Sequence, residues 1–106
     1  MQLRIQINDT TRDIDVPQFM LEEGEDFFTQ LDQDMNKGYQ MSRLWVDKPD
    51  QEQRCQIIAD KILTALTNGN MKSGTLMAAY ILKRMPQVRE VHMNIEGDMT
   101  GHELVQ

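Results

Sequence analysis

Apolar and polar residues alternate at the start of the chain. In LRIQIN, Leu3, Ile5 and Ile7 interleave with Arg4, Gln6 and Asn8. A period of two puts one set on each face of a strand, so this stretch is predicted as a strand with one buried face. DTTR supplies turn residues, and DIDV resumes the alternation through Ile14 and Val16 until Pro17. Residues 3–16 therefore read as a β-hairpin, with the second strand short and at an edge.

From Glu22 the period lengthens. Phe27 or Phe28, Leu31 and Met35 fall three and four residues apart behind the acidic turn EEGED, which predicts a first helix from Glu22 to near Gly38. Gly24 weakens its start by about 1 kcal/mol relative to alanine unless it lies outside the first turn. GYQMSRLWVDKP is apolar without a sustained period, the pattern of a short strand or an extended connector. VDKPD reads as the next helix start, with Asp47 as cap, Pro49 in the first turn, and Asp50 and Glu52 complementing the N-terminal dipole. Cys55, Ile58, Ile62 and Leu66 then form one row, widened by Ala59 and Leu63, the stripe of a core-facing helix.

NGN interrupts that stripe: Gly69 suits the left-handed position after a helix and Asn70 suits the cap of the next. The third helix, residues 71–85, holds LMAAYIL, which is apolar nearly all round and must be buried or cover a partner. Pro86 closes it. Val88, Val91, Met93 and Ile95 alternate with one register shift and predict a last strand. Residues 97–106 read as a flexible tail after a compact domain over 1–96. The expected architecture is a two-layer α+β fold in the order β-β-α-α-α-β, a three-stranded sheet under three helices.

Composition narrows the class. A chain of 106 residues with 40% apolar and 26% charged residues is of the globular type and needs no covalent staples. The single cysteine, Cys55, rules out an internal disulfide and four-cysteine zinc sites. No apolar run reaches the roughly 20 residues that span a bilayer, and MQLRIQINDT lacks a secretory h-region, so a cytoplasmic protein without membrane contact is expected. The net charge of −6 is concentrated: Asp9 to Asp34 holds nine acids against Arg12 alone. Nucleic acid needs a basic face to displace its counterions, and none is visible, so no nucleic-acid partner is expected. A basic protein surface would suit the acidic quarter.

Candidate chemistry changes this picture little. Asp32, Asp34 and Asn36 alternate like the first ligands of a calcium loop, but Lys37 stands where the sharp-turn glycine belongs and Arg43 where a bidentate glutamate belongs. His92 and His102 with Met93 and Met99 have ligand types suited to Cu(I), yet lack metal-site spacing. Lys72, Ser73 and Gly74 at a helix start have free N–H groups for an anion, although capping explains them more simply. Cys55 lies on an apolar row and reads as an inert core thiol, and Ser42 and Ser73 lack a nucleophile elbow. No metal, cofactor or catalytic residue is assigned.

Two functional expectations follow. The first is a non-catalytic adapter that binds another protein, or a second copy of itself, through Trp45, Arg43, Met41 and Tyr39 together with Glu22, Glu23, Glu25 and Asp26. The second is a small enzyme or ligand-binding domain with a pocket between helices and sheet lined by Tyr80, Trp45 and His92.

Overall fold

The alternation in LRIQIN does form a strand, β1 (Gln2–Ile7), in the computed structural model, which describes residues 1–106. Leu3 and Ile5 point into the core and Arg4 points away from it. Asn8, at a φ of 53°, turns the chain into β2 (Thr10–Asp15), and the antiparallel register sets Leu3 opposite Ile14. Asparagine tolerates this left-handed conformation better than most residues, which is why the hairpin closes without glycine.

The helical segment is divided differently from the expectation. Two helices replace one, α1 (Gln18–Glu23) and α2 (Glu25–Met35), and Gly24 is the elbow between them. A side chain there would run into the Met20 carbonyl and the Phe28 ring. Glycine therefore lets α2 start close against the end of α1. The aperiodic segment forms a small ribbon of its own, β3 (Tyr39–Met41) paired with β4 (Leu44–Val46). Three residues per strand are too few to display a period, so the sequence pattern could not separate ribbon from connector.

Helix α3 (Gln51–Thr67) begins at Asp50, not at Asp47. Asp50 accepts from the Gln53 backbone N–H while the Gln53 side chain accepts from Asp50, a reciprocal capping box that leaves Pro49 just outside the helix. Gly69, at a φ of 73°, and Asn70, which caps α4 (Met71–Arg84) through Ser73 N–H, make the expected turn between these helices. The run Ala78 to Leu82 is buried, because α4 packs against α3, α1 and β2. LMAAYIL is thus covered within the chain.

The sheet has four strands in the order β2-β1-β5-β6. Strand β5 (Glu90–His92) runs parallel to β1, and β6 (Glu103–Val105) pairs antiparallel with β5. Residues 97–106, expected as a loose tail, instead supply a 3-10 turn at Met99–Gly101, the buried His102 and this fourth strand. The α+β class and the order of the expected elements hold, with one more helix, one more sheet strand and the separate ribbon. Helices cover one face of the sheet. The other carries Arg4, Asp13 and Glu90, with Arg4 Nε 3.1 Å from Asp13 Oδ1. No helix is long and apolar enough to cross a membrane.

Candidate functional site

The residues singled out from the sequence do not gather at one place. Met41 is buried, so it supports the ribbon from below and cannot contact a partner. Tyr39 is half-buried beneath Lys61, whose Nζ lies 5.9 Å from the ring centre. Arg43 and Trp45 are exposed, but neighbouring strand residues point to opposite faces, so Leu44 and Trp45 form no common patch. Trp45 lays its ring over Gly38, and its indole N–H donates to Asp47 Oδ1 at 2.6 Å. Its polar handle is therefore satisfied within the hairpin.

The three residues of the expected pocket also separate. Tyr80 is buried between α2 and α3, His92 lies half-exposed beside Glu90, and Trp45 sits on the ribbon. None of them lines any of the three cavities in the fold. Burial explains the loss of Tyr80: its hydroxyl faces into the protein and donates to Asp32.

Around that hydroxyl the structure assembles a polar network that the sequence did not reveal. Asp32 accepts from Tyr80 and from Arg54 Nη1 at 3.1 Å through one oxygen, and from Arg84 Nε at 3.0 Å through the other. Arg54 also donates to Asn36 and to the Pro49 carbonyl. Arg84 lies over the rings of Phe28 and Tyr80, 5.8 and 5.6 Å from their centres, and grips Glu25. Hydrogen bonds from Arg84 and then Thr29 hold the Glu25 carboxyl down to about 2. The Tyr80 phenol is pushed upward by burial first and by the neighbouring Asp32 second. Every charge has a partner of opposite sign, so this cluster clamps α2 to α3 and α4 and offers no free group for chemistry.

Asp32 is consequently no calcium ligand. It lies within α2, and its oxygens are taken by two guanidinium groups. Beside the network Cys55 is enclosed, and burial pushes its thiol up to about 12, leaving it protonated and unreactive at neutral pH.

The largest cavity, about 550 Å3, is elsewhere, between the tip of the β3–β4 ribbon, the first turns of α3 and the loop after β5. Ser42 at the ribbon tip adopts a φ of 58°, unusual for serine, and its hydroxyl accepts from Met99 N–H at 2.9 Å and donates to the Gly97 carbonyl at 3.1 Å. Gln56 on α3 donates to the carbonyls of Thr100 and His102, each at 3.1 Å. His102, fully enclosed, accepts from Asn94 N–H at Nδ1, which leaves the hydrogen on Nε2 to be donated to Asp60 at 3.1 Å. These bonds fix the loop to both the ribbon and α3.

A third feature is the outer face of α1. Phe19 is 56% exposed, and Glu22 and Glu23 follow it at three and four residues, hence on the same helical face. Asp26 is exposed at the start of α2, and none of these three acids makes an ion pair, whereas Glu25 is held by Arg84. The sequence pattern pointed to the acids but not to Phe19, because one aromatic before a short helix has no periodic signature.

Compared with protein-family models, with curated proteins and with solved structures, the chain matches none.

Proposed function

We propose that the protein is a non-catalytic interaction module that binds a basic, apolar-bearing segment of another protein through α1 and the start of α2. The observation that carries this reading is Phe19, exposed beside Glu22 and Glu23 on one helical face with none of the acids internally paired. A large aromatic side chain left in water is an anchor once a partner removes it from solvent, and surrounding carboxylates select for lysine and arginine. Leu21 on the opposite face is buried and α1 packs on α4, so the anchor stands on a fixed platform.

Glu25 is no part of this surface, since Arg84 already neutralises it. Two copies meeting through the same face would set acid against acid, so the partner is a different chain. The buried, protonated Cys55 and the absence of any second cysteine suit the reducing conditions of the cytoplasm, where we place this activity.

The test is titration of isotopically labelled protein with synthetic peptides that combine lysine or arginine with leucine or phenylalanine. The expected result is movement of the backbone amide signals of residues 18–26, weakened at least tenfold by Phe19→Ala and by the double change Glu22→Gln and Glu23→Gln. Binding should also weaken in about 1 M salt, where the Debye length shrinks to about 3 Å. A panel that leaves those amides unmoved overturns the proposal.

A further inference from the structure

The cleft beside the ribbon is a separate matter from α1, and its charges are arranged in an unusual way. Arg43, in its ribbon wall, makes no hydrogen bond or ion pair with any residue of the chain. Glu96, in the loop wall, has an equally free carboxylate, and Asp98 beside it uses one oxygen to hold Thr100 N–H and hydroxyl. Those bonds from Thr100 are the main reason that the Asp98 carboxyl sits below its usual range. Arg43 and Asp98 line the same cleft and form no ion pair with each other.

The two walls are joined by hydrogen bonds. Ser42, in its left-handed conformation, fixes the ribbon tip to Gly97 and Met99, and Gln56 fixes the same loop to α3. The two-residue turn Ser42–Arg43 between the paired Met41 and Leu44 calls for a positive φ at Ser42, and the bonds of its hydroxyl hold this wall of the cleft in place. Two glutamines of the lining keep an unbonded polar atom: Gln53 engages Asp50 through its oxygen alone, and Gln56 donates through its nitrogen alone. One exposed apolar side chain completes the lining, Leu44, which is 56% exposed and sits over the buried Met41.

We propose that this cleft binds a small zwitterion bearing an apolar side chain, of the size of an α-amino acid or a dipeptide. Its carboxylate pairs with the Arg43 guanidinium, which matches a carboxylate with two parallel N–H donors. The ammonium group lies between Glu96 and Asp98, and the apolar side chain covers Leu44. A volume of about 550 Å3 falls within the ordinary range for small-ligand sites. A simple anion would leave Glu96 and Asp98 unanswered, and a simple cation would leave Arg43 so. Only a ligand with both charges uses the whole lining.

The experiment is calorimetric titration of the full chain with free leucine, methionine and phenylalanine and with the corresponding dipeptides. Matched N-acetylated and C-amidated forms are run alongside. Saturable binding of the free amino acid or of the dipeptide identifies the source. Loss of at least tenfold in affinity on acetylation, on amidation, in Arg43→Gln and in Glu96→Gln is expected. Both positions are exposed side chains outside the core, and their melting temperatures should stay unchanged, which separates a binding role from a structural one. Equal affinity for the blocked forms, undiminished binding by either variant, or no binding by any member of the panel overturns the proposal.

Discussion

Arg84 holds Glu25 with both arms of its guanidinium, Nη1 at 2.9 Å from Oε1 and Nη2 at 2.6 Å from Oε2, so the end of α4 is fastened to the first turn of α2. The bond favours the charged carboxylate, which is why the Glu25 carboxyl lies near 2 rather than 4.5. A carboxyl depressed in the folded state contributes stability above its unfolded value and loses it as pH falls through the folded value. Stability should therefore decline from about pH 4.5 down to about pH 2, and Glu25→Gln should flatten that decline. Urea midpoints measured across this interval check it. An unchanged slope in the variant would show that Glu25 is not paired in solution.

Removing the carboxylate at the centre of the network has a larger effect. Asp32→Ala takes the carboxylate acceptor from Arg54 Nη1, Arg84 Nε and the Tyr80 hydroxyl, while Arg84 keeps Glu25 and Arg54 keeps Asn36 and the Pro49 carbonyl. The three charged side chains are roughly one-fifth exposed, at 19, 22 and 18%, so water relieves part of the cost. A loss of roughly 2–4 kcal/mol in unfolding free energy is expected, against about 1–2 kcal/mol for Tyr80→Phe. Denaturant titration of both variants measures the two values, and a near-neutral Asp32→Ala would reduce the network to an ornament of the surface.

Much of this fold was legible from periodicity. Leu3, Ile5 and Ile14 announced the hairpin, and the row Cys55, Ile58 and Ile62 announced α3, because each repeats over enough residues to fix a face. The network was not legible, since Asp32, Arg54, Tyr80 and Arg84 meet only when three helices pack. Tyr80 did carry a signal: a tyrosine inside a wholly apolar run must find a partner for its hydroxyl. Strand β6 escaped because three residues, Glu103 to Val105, show no alternation and depend on pairing with β5. The cleft escaped for a similar reason, its Arg43 and Glu96 lying on segments brought together by the hydroxyl of Ser42.

Gly38 tests the ribbon. Its φ of 92° disfavours any side chain, and a methyl group there would strike the Trp45 ring. Gly38→Ala should cost about 1–3 kcal/mol and shift Trp45 fluorescence to the red as the ring is displaced into water. An alanine variant with native emission and native stability would show that the ring does not lie over this position.

Cys55 tests the core. With its thiol raised to about 12 by burial, the native protein at about pH 8 should react with a disulfide reagent only as fast as the chain opens. The rate should rise in Asp32→Ala about tenfold for each 1.4 kcal/mol of stability lost. Immediate stoichiometric reaction would place the sulfur at the surface.

The parallel pairing of β1 with β5 sets Arg4 opposite Glu90 and Gln6 opposite His92, partners from opposite ends of the chain. The β1–β2 hairpin and the α3–α4 turn, by contrast, form through neighbours close in sequence and can assemble in microseconds to milliseconds. The central ladder of the sheet must wait for the longest loop in the molecule to close. Folding is therefore expected to run on two clocks. During the interval between them the inner edge of β1 is bare, and that edge, covered on every side in the finished fold, is where the unfinished chain is most open to pairing with a stranger.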